Sequence, residues 1–252
     1  MSLLLSSRIT MAAKLDRLES IVRRVGERVG WPQAWLQEFI AYRGDPRMTL
    51  EEFYVRFTLK RMAAEPKLAA VKTEADALAF YRDEDYMLWR NLVHRRHSAW
   101  RRVLVTMRGR EGHLLEMGAG IAPVSTWTAQ HKPNWSFALV DLESAHRAYG
   151  LWRVKQYADA WAIPKIPDAA RSFDVVTALD VFEHLAKPVH VAYECARVLR
   201  PGGYLHVNFI GNERQNDLDL STVEQREATL AYLDSALDLV WANDGYTVRR
   251  KP

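Results

Sequence analysis

The chain has 252 residues, of which 48% are hydrophobic and 26% are charged. This is the composition of an ordinary globular protein, and it excludes a disordered or collagen-like chain. Its apolar runs fall short of the roughly 18 residues that a membrane-spanning helix needs, and its first residues make a poor signal peptide. The single cysteine, Cys195, excludes an internal disulfide framework. We therefore expect a soluble, cytoplasmic protein.

The charge is unevenly distributed along the chain. Residues 1–112 contain 21 Lys and Arg against 14 Asp and Glu, a balance of +7, and the remainder contains 14 against 17, a balance of −3, which sums to +4. A basic first part could attract nucleic acid or anionic substrates. The same pattern is typical of solvated helix faces, so an RNA partner remains an alternative rather than a conclusion.

The first 110 residues show the periodicity of helices. Apolar residues recur at helical spacing before Gly30, and Thr49 followed by Glu52 resembles a capping box at the start of a helix. No repeat or linker interrupts this region. The predicted helices are 15–29, 32–40, 50–63 and a long or broken one over 73–107.

From His113 onward, short apolar strands alternate with helices, which predicts a mostly parallel sheet covered by helices on both sides. Near the end, Asn243-Asp244-Gly245 predicts a hairpin and therefore an antiparallel pair. The clearest helices are Pro188 to Leu199 and one near Val223–Ala236. The predicted strands are HLLEM (113–117), SFALVD (136–141), VKQY (154–157), FDVVTAL (173–179) and YLHVNF (204–209).

The stretch LLEMGAGIAPV (114–124) combines a buried strand, an acid and two glycines. Glycine permits backbone conformations closed to other residues and lets a ligand approach the main chain. A helix should begin just after it and offer free N–H groups. Such a turn suits a nucleotide or nucleoside at the carboxyl end of a parallel strand. An ordinary strand-to-helix corner is the alternative at this point.

Four segments in order resemble the class I S-adenosylmethionine-dependent methyltransferases, of the small-molecule type often called type 11. They are LLEMGAGIA, VDLES, FDVVTALDVFEHL and RVLRPGGYLHV, and the resemblance covers about residues 110–210. It implies an α/β, Rossmann-like sheet of seven strands, mostly parallel with the last antiparallel, preceded by a helical region. The chain departs from the family's pattern at the third glycine, which is Ala122 here, followed by Pro123. Alanine is small enough to preserve the helix packing.

The resemblance also implies which residues bind the cofactor. Glu116 would fix the turn and assist the amino group of the cofactor, and Asp141 would accept hydrogen bonds from both ribose hydroxyls. Leu142 would pack on adenine, and Asp159 would accept from the adenine amino group unless it is an ordinary loop acid. The expected cofactor-binding residues are Glu116, Gly118, Ala119, Gly120, Asp141, Leu142, Asp159, Ala160, Asp180 and Val181.

Catalytic candidates are fewer. His184 follows the fourth strand, where the reactive end of the cofactor should lie, and histidine can accept a proton near neutral pH. In the family this turn is often structural, which is the alternative for His184. His94 and His97 have a spacing that could serve a metal, but without further ligands we expect a polar helix face and no metal site.

The sequence thus favours a methyltransferase that transfers a methyl group from S-adenosyl-L-methionine to an O, N or C nucleophile of a small organic acceptor, leaving S-adenosyl-L-homocysteine. Residues 1–110 would act as lid and specificity region, and residues 111–252 would form the cofactor-binding domain. An RNA methyltransferase and a catalytically inactive cofactor-binding interaction protein are alternatives, and a nicotinamide dehydrogenase is a more distant one. Neither a membrane nor nucleic acid is the expected partner, and the acceptor and oligomeric state stay open.

Overall fold

The structure is a computed structural model that describes residues 33–83, 85–93, 100–208, 220–243 and 245–252. Contacts divide the chain into two compact units, of which the first ends at Lys60 and the second runs from Arg61 to Pro252. This packing boundary precedes residue 110. The predicted roles, a lid and specificity region in 1–110 and a cofactor-binding domain in 111–252, concern function rather than packing and stay a prediction.

The first unit contains helix α1 (Gln33–Arg43) and the start of helix α2 (Leu50–Ala69). Gly44 follows α1 with a φ of +64°, the left-handed conformation that commonly ends a helix. The buried rings of Phe39 and Phe53 meet edge to face, with 5.8 Å between centroids. The predicted helix over 15–29 lies outside the described residues.

After the rest of α2, the second unit continues with three short helices: α3 (Glu74–Asp83), α4 (Tyr86–Val93) and α5 (Trp100–Thr106). The helical stretch expected over 73–107 is therefore broken. Helix α3 begins with reciprocal bonds, since the Asp76 N–H donates to Thr73 Oγ1 and the Thr73 N–H donates to the Asp76 carboxylate. Such pairs satisfy the N–H groups that a helix start leaves free.

A seven-stranded sheet forms the centre of this unit, with the order β3-β2-β1-β4-β5-β7-β6. Strands β1 to β5 pair in parallel, whereas β7 is antiparallel to both β5 and β6. The predicted fold class and the terminal hairpin are confirmed. The strands are β1 (Gly112–Met117), β2 (Trp135–Val140), β3 (Asp159–Ile163), β4 (Phe173–Ala178), β5 (Leu199–Asn208), β6 (Asp238–Asn243) and β7 (Tyr246–Arg250).

Helices cover both faces of the sheet. Neighbouring residues of a strand point to opposite sides, so a strand with consecutive apolar residues has apolar side chains to bury on each face. Leu114 packs with Val124 and Val154, whereas the next residue, Leu115, packs with Cys195 and with α9. Both leucines are fully buried. The helices are α6 (Pro123–His131), α7 (Ala145–Lys155), α8 (Pro188–Val198) and α9 (Val223–Ala236).

One predicted strand is wrong. Val154 and Lys155 of the segment VKQY belong to α7, and β3 begins only at Asp159. Val154 is fully buried in the core on one face of the sheet. Helical packing of α7 therefore overrides the weak strand pattern of a four-residue segment.

Candidate active site

A cavity of about 320 Å³ lies at the carboxyl ends of β1, β2, β3 and β4. In open parallel sheets, ligands bind at this edge, where loops leave neighbouring strands in opposite directions. Helices α3 and α4 contribute further walls. The residues that line the cavity include Tyr81, Met87, Arg90, Asn91, Glu116, Gly118, Ala119, Gly120, Asp141, Leu142, His146, Asp180, Val181 and His184.

The glycine-rich turn after β1 has a main-chain conformation that favours glycine. Gly118 and Gly120 have φ values of +64° and +50°, which favour glycine. A Cβ at Gly118 would overlap the side chain of Val181, so the turns after β1 and β4 touch at this point. Ala122 replaces the third glycine in a left-handed conformation and is followed by α6, whose first residue is Pro123.

Helix α7 supports this turn from behind. A Cβ at Gly150 would lie 2.6 Å from the carbonyl oxygen of Gly120 and 3.0 Å from the nitrogen of Ala122, so two main chains are in direct contact. The fully buried Arg153 donates from Nη1 to the carbonyl oxygen of Ile121 at 2.6 Å. The turn is thus held by α7 as well as by its own strand.

Glu116 is buried at the end of β1 and caps helix α6. Its carboxylate accepts from the N–H groups of Val124 at 3.2 Å and Ser125 at 2.8 Å. Burial raises the pKa of this carboxyl from 4.5 to about 7, against the opposing effect of the hydrogen bonds and of Arg153. Glu116 lines the cavity, and the bonds it makes fix the turn.

Asp141 follows β2 and faces the glycine turn. One carboxylate oxygen accepts from the Gly120 N–H at 2.6 Å, and the other accepts from the Leu142 N–H at 2.6 Å. The side chain is 14% exposed, and His146 Nε2 lies 3.7 Å from it. Each carboxylate oxygen keeps acceptor capacity, so a pair of ligand hydroxyls could donate to it.

The turn after β4 is held from β5. Asp180 has a φ of +54°, and its N–H donates to the side-chain oxygen of Asn208 at 2.6 Å. The Asn208 amide in turn donates to the Asp180 carboxylate. This two-way bond keeps Asp180 in an uncommon backbone conformation beside Val181, and such strain is often found at functional sites.

His184 ends a 3-10 turn (Phe182–His184) and lines the cavity. The ring of Tyr81 from α3 lies 5.8 Å from the His184 ring, centroid to centroid. The imidazole therefore lies on the cavity wall next to Asp180 and Val181, in reach of a bound molecule.

Part of the chain around the cavity is similar to known proteins. A family model described as a methyltransferase domain matches residues 115–205. Residues 115–205 are thus similar to a methyltransferase domain. The match runs from β1 into β5 and therefore includes the carboxyl ends of β1 to β4, where the cavity lies.

Curated relatives of the methyltransferase domain act on different molecules. The 27-O-demethylrifamycin SV methyltransferase of Amycolatopsis mediterranei is 54% identical over 52 residues, or 21% of this chain and 18% of that protein. The demethylmenaquinone methyltransferase of Chlamydia trachomatis is 30% identical over 117 residues, or 44% and 50%. A ubiquinone biosynthesis O-methyltransferase of Marinobacter nauticus is 38% identical over 52 residues, or 21% and 22%. The matches thus span at most half the length of these relatives.

A solved methyltransferase from Methanosarcina mazei overlaps 59% of this chain and 96% of its own, with a TM-score of 0.46 and 14% identity. That likeness is below the level at which it bears on fold or function.

The structure does not bring Asp159 and Ala160 to the cavity of the methyltransferase domain. They begin β3 and pair with Ser136 and Phe137, at the amino end of the parallel sheet. Their expected role came from the family resemblance, and a strand at 154–157 would have put them at the carboxyl end of that strand. The β3 connection instead reaches the cavity through Pro164. Neither Asp159 nor Ala160 lines the cavity, and their role in cofactor binding stays a prediction.

Three residues that line the cavity, and one that holds its wall at Asp180, were not predicted from the sequence. Arg90 and Asn91 belong to α4, His146 opens α7, and Asn208 ends β5. The register of β5 beside β4 could have suggested Asn208, since both strands end at the same edge. No motif in the sequence around α4 indicated a role for Arg90 or Asn91.

Some features are absent from the part of the chain that the structure describes. No group of three or more His, Cys, Asp or Glu side chains there could hold a metal ion. His94 and His97 lie outside the described residues. No described helix is both long enough and apolar enough to cross a membrane.

Proposed function

We propose that the protein transfers a methyl group from S-adenosyl-L-methionine to an O, N or C nucleophile of a small organic acceptor. The observation that carries this proposal is the placement of Asp141 against the glycine turn at Gly118 and Gly120, within one cavity. An acceptor-only carboxylate there matches the ribose of a nucleoside ligand.

The residues present fit this cofactor. The cavity of about 320 Å³ is at the lower end of the range for small-molecule sites. Val140 and Leu142 offer apolar surface beside Asp141, which suits an adenine ring next to its ribose. The turn at Asp180 and Val181 would then face the other end of the cofactor. When bound, S-adenosylmethionine supplies a methyl group already activated by a sulfonium centre.

The chain's own residues would mainly align the two reactants and exclude water. Alignment alone can remove about 7–11 kcal/mol of an activation barrier. His184, on the wall beside Asp180, is the proposed base that takes a proton from the acceptor, with Tyr81 packed near its ring. Leu78, Met87 and Leu185 make this end of the cavity apolar.

The acceptor class follows from the same surroundings. An apolar wall with one imidazole suits an acceptor with an apolar body and one ionisable hydroxyl. The rifamycin and quinone names of the relatives are consistent with this proposal. Residues 1–110 are proposed as lid and specificity region, since α3 and α4 supply cavity walls.

Binding of S-adenosylhomocysteine, measured by calorimetry, tests the proposal. We expect micromolar affinity in the unchanged protein and at least a tenfold loss in Asp141→Asn, because the ribose hydroxyls lose a charged acceptor. Glu143→Gln is the matched control, since it removes the same charge from an exposed neighbouring position and should keep the affinity. Absence of binding in the unchanged protein would refute the proposal.

A further inference from the structure

We propose that Asn208 is a positioning residue for methyl transfer, which acts through Asp180 on the turn that carries Val181 and His184. The inference rests on the proposed function and extends it to the end of strand β5. Asn208 lies outside residues 115–205, so the family match does not cover it. It does not line the cavity itself, and its effect on the reaction would pass through the turn that it holds.

One amide group, that of Asn208, bonds both the main chain and the side chain of Asp180. Its side-chain oxygen accepts from the Asp180 N–H at 2.6 Å, and its side-chain nitrogen donates to the Asp180 carboxylate at 2.5 Å. A backbone N–H can only donate and an ionised carboxylate can only accept, so the partner must offer an acceptor and a donor side by side. A primary amide does so at any pH, which a carboxyl group does not.

The backbone conformation of Asp180 gives these two bonds their importance. With a φ of +54°, it is one of three non-glycine residues in the described part of the chain that have a positive φ, together with Ala122 and Arg171. Aspartate adopts this conformation more readily than most residues, but the conformation persists only where the surrounding structure supports it. The bonds from Asn208 provide such support and help to fix the direction in which the chain leaves β4.

Two contacts transmit the direction of this turn to the cavity. The side chain of Val181 packs against the glycine turn, where a Cβ at Gly118 would lie 2.4 Å from Val181 Cγ2. The carbonyl oxygen of Val181 accepts from the His184 N–H at 2.9 Å, at the start of the 3-10 turn (Phe182–His184). A shift at Asp180 would therefore move both the wall that touches the glycine turn and the imidazole that is the proposed base.

Asn208→Asp tests the inference, because it removes one of the two bonds and keeps the size of the side chain. The new carboxylate can still accept from the Asp180 N–H, but it has no proton to donate, and two negative charges then face each other. At low pH the two carboxyl groups share one proton, which restores the missing donor. In radiolabelled methyl transfer to phenolic and quinol acceptors, we expect kcat to be at least about tenfold below that of the unchanged protein at pH 8 and within about threefold of it at pH 5.5.

Ligand affinity separates positioning from a general loss of structure. Calorimetry should find the S-adenosylhomocysteine affinity of Asn208→Asp within about threefold of that of the unchanged protein at both pH values, because the bonds of Asp141 are not altered. Asn134→Asp is the matched control, since it makes the same change at an exposed position of the turn before β2 that does not line the cavity. It should leave kcat and affinity unchanged at both pH values.

The double variant Asn208→Asp with Asp180→Asn exchanges the two side chains and provides a rescue. The carboxylate at position 208 then accepts from the backbone N–H of residue 180 and from the new amide beside it, so both bonds return with donor and acceptor exchanged. We expect the double variant to recover most of the kcat that Asn208→Asp loses at pH 8. Its kcat relative to the unchanged protein should no longer depend on pH.

Four results would overturn the inference while leaving the proposed function intact. They are a kcat of Asn208→Asp equal to that of the unchanged protein, a loss that is the same at both pH values, a loss that the double variant does not restore, and an affinity that falls as far as kcat. A new charge that only favoured protonation of His184 would impair the variant most at low pH, which is the opposite of the expected direction. If the unchanged protein transfers no methyl group to these acceptors, the proposed function fails, and the inference fails with it.

Discussion

At the scale of single residues, the site is built from acids with different surroundings. Glu116 is buried and holds the start of α6, whereas Asp141 is partly exposed and faces the cavity. Asp180 is fixed by an amide from the neighbouring strand. Of the three carboxyl groups at this sheet edge, Glu116 holds a helix start, Asp180 is held in its turn, and Asp141 has the proposed binding role.

The buried carboxyl of Glu116 makes stability depend on pH. Its pKa is raised from 4.5 to about 7 in the folded chain, so the folded state holds this proton more tightly than the unfolded state does. The resulting stability is fully present below about pH 4.5 and is lost as the pH rises through about 7. Between pH 5 and pH 8 we expect the protein to lose about 2 kcal/mol relative to Glu116→Gln.

Urea unfolding of both proteins at the two pH values measures this difference. Other titrating groups are common to both proteins and cancel in the comparison. A difference between the two proteins that does not change with pH would show that the pKa of Glu116 is not raised.

His184 provides a second prediction at this scale. If it accepts the proton of the acceptor, His184→Gln should lower kcat about a hundredfold or more and leave S-adenosylhomocysteine affinity unchanged. Radiolabelled methyl transfer to phenolic and quinol acceptors measures the rate. A kcat within a few fold of the unchanged protein would assign His184 to the structure of its turn alone.

Sequence alone could predict the residues whose role is carried by local spacing. Glu116, Gly118 and Gly120 lie in one turn, and Asp141 ends a strand with a clear apolar pattern. Arg90, His146 and Gly150 escaped notice because they come to lie at the cavity or against that turn only when α4 and α7 have packed in place. The strand predicted at 154–157 lies a few residues too early, and because of that shift Asp159 lies at the amino end of β3 rather than after its carboxyl end.

At the scale of elements, the contact between α7 and the glycine turn matters most. Gly150 brings main chain against main chain, and Arg153 binds a carbonyl of the same turn. The strands and helices with long, clear patterns were predicted correctly. The α7–β3 region was not, since its four-residue strand signal competed with the packing of a buried helix.

Gly150→Ala tests this contact. The added methyl group would meet only backbone atoms, which cannot rotate away, so the turn or the helix must shift. We expect a loss of about 1–3 kcal/mol in the free energy of unfolding and at least a tenfold loss of S-adenosylhomocysteine affinity.

Ala148→Gly is the control for Gly150→Ala. It changes an exposed position of the same helix and should cost about 1 kcal/mol through helix propensity, with the affinity retained. Equal loss of affinity in both variants would mean that α7 acts only through general stability.

At the scale of the whole molecule, the fold follows from alternation of strands and helices, which sequence shows well. The unit boundary at Lys60 could not be predicted from the sequence, because no change of composition accompanies it. The acceptor also cannot be predicted from sequence patterns, since the cavity walls that α3 and α4 supply lie outside the matched region.

The strand order has a consequence for synthesis on the ribosome. Strand β1 pairs with β2 through Leu114 and Phe137, but its other edge waits for Val175 of β4, much later in the chain. Until β4 has emerged, a growing chain exposes the unpaired backbone N–H and C=O groups along one edge of β1, a state that invites aggregation and chaperone binding. Messages truncated before β4 should therefore yield insoluble fragments rather than partial domains.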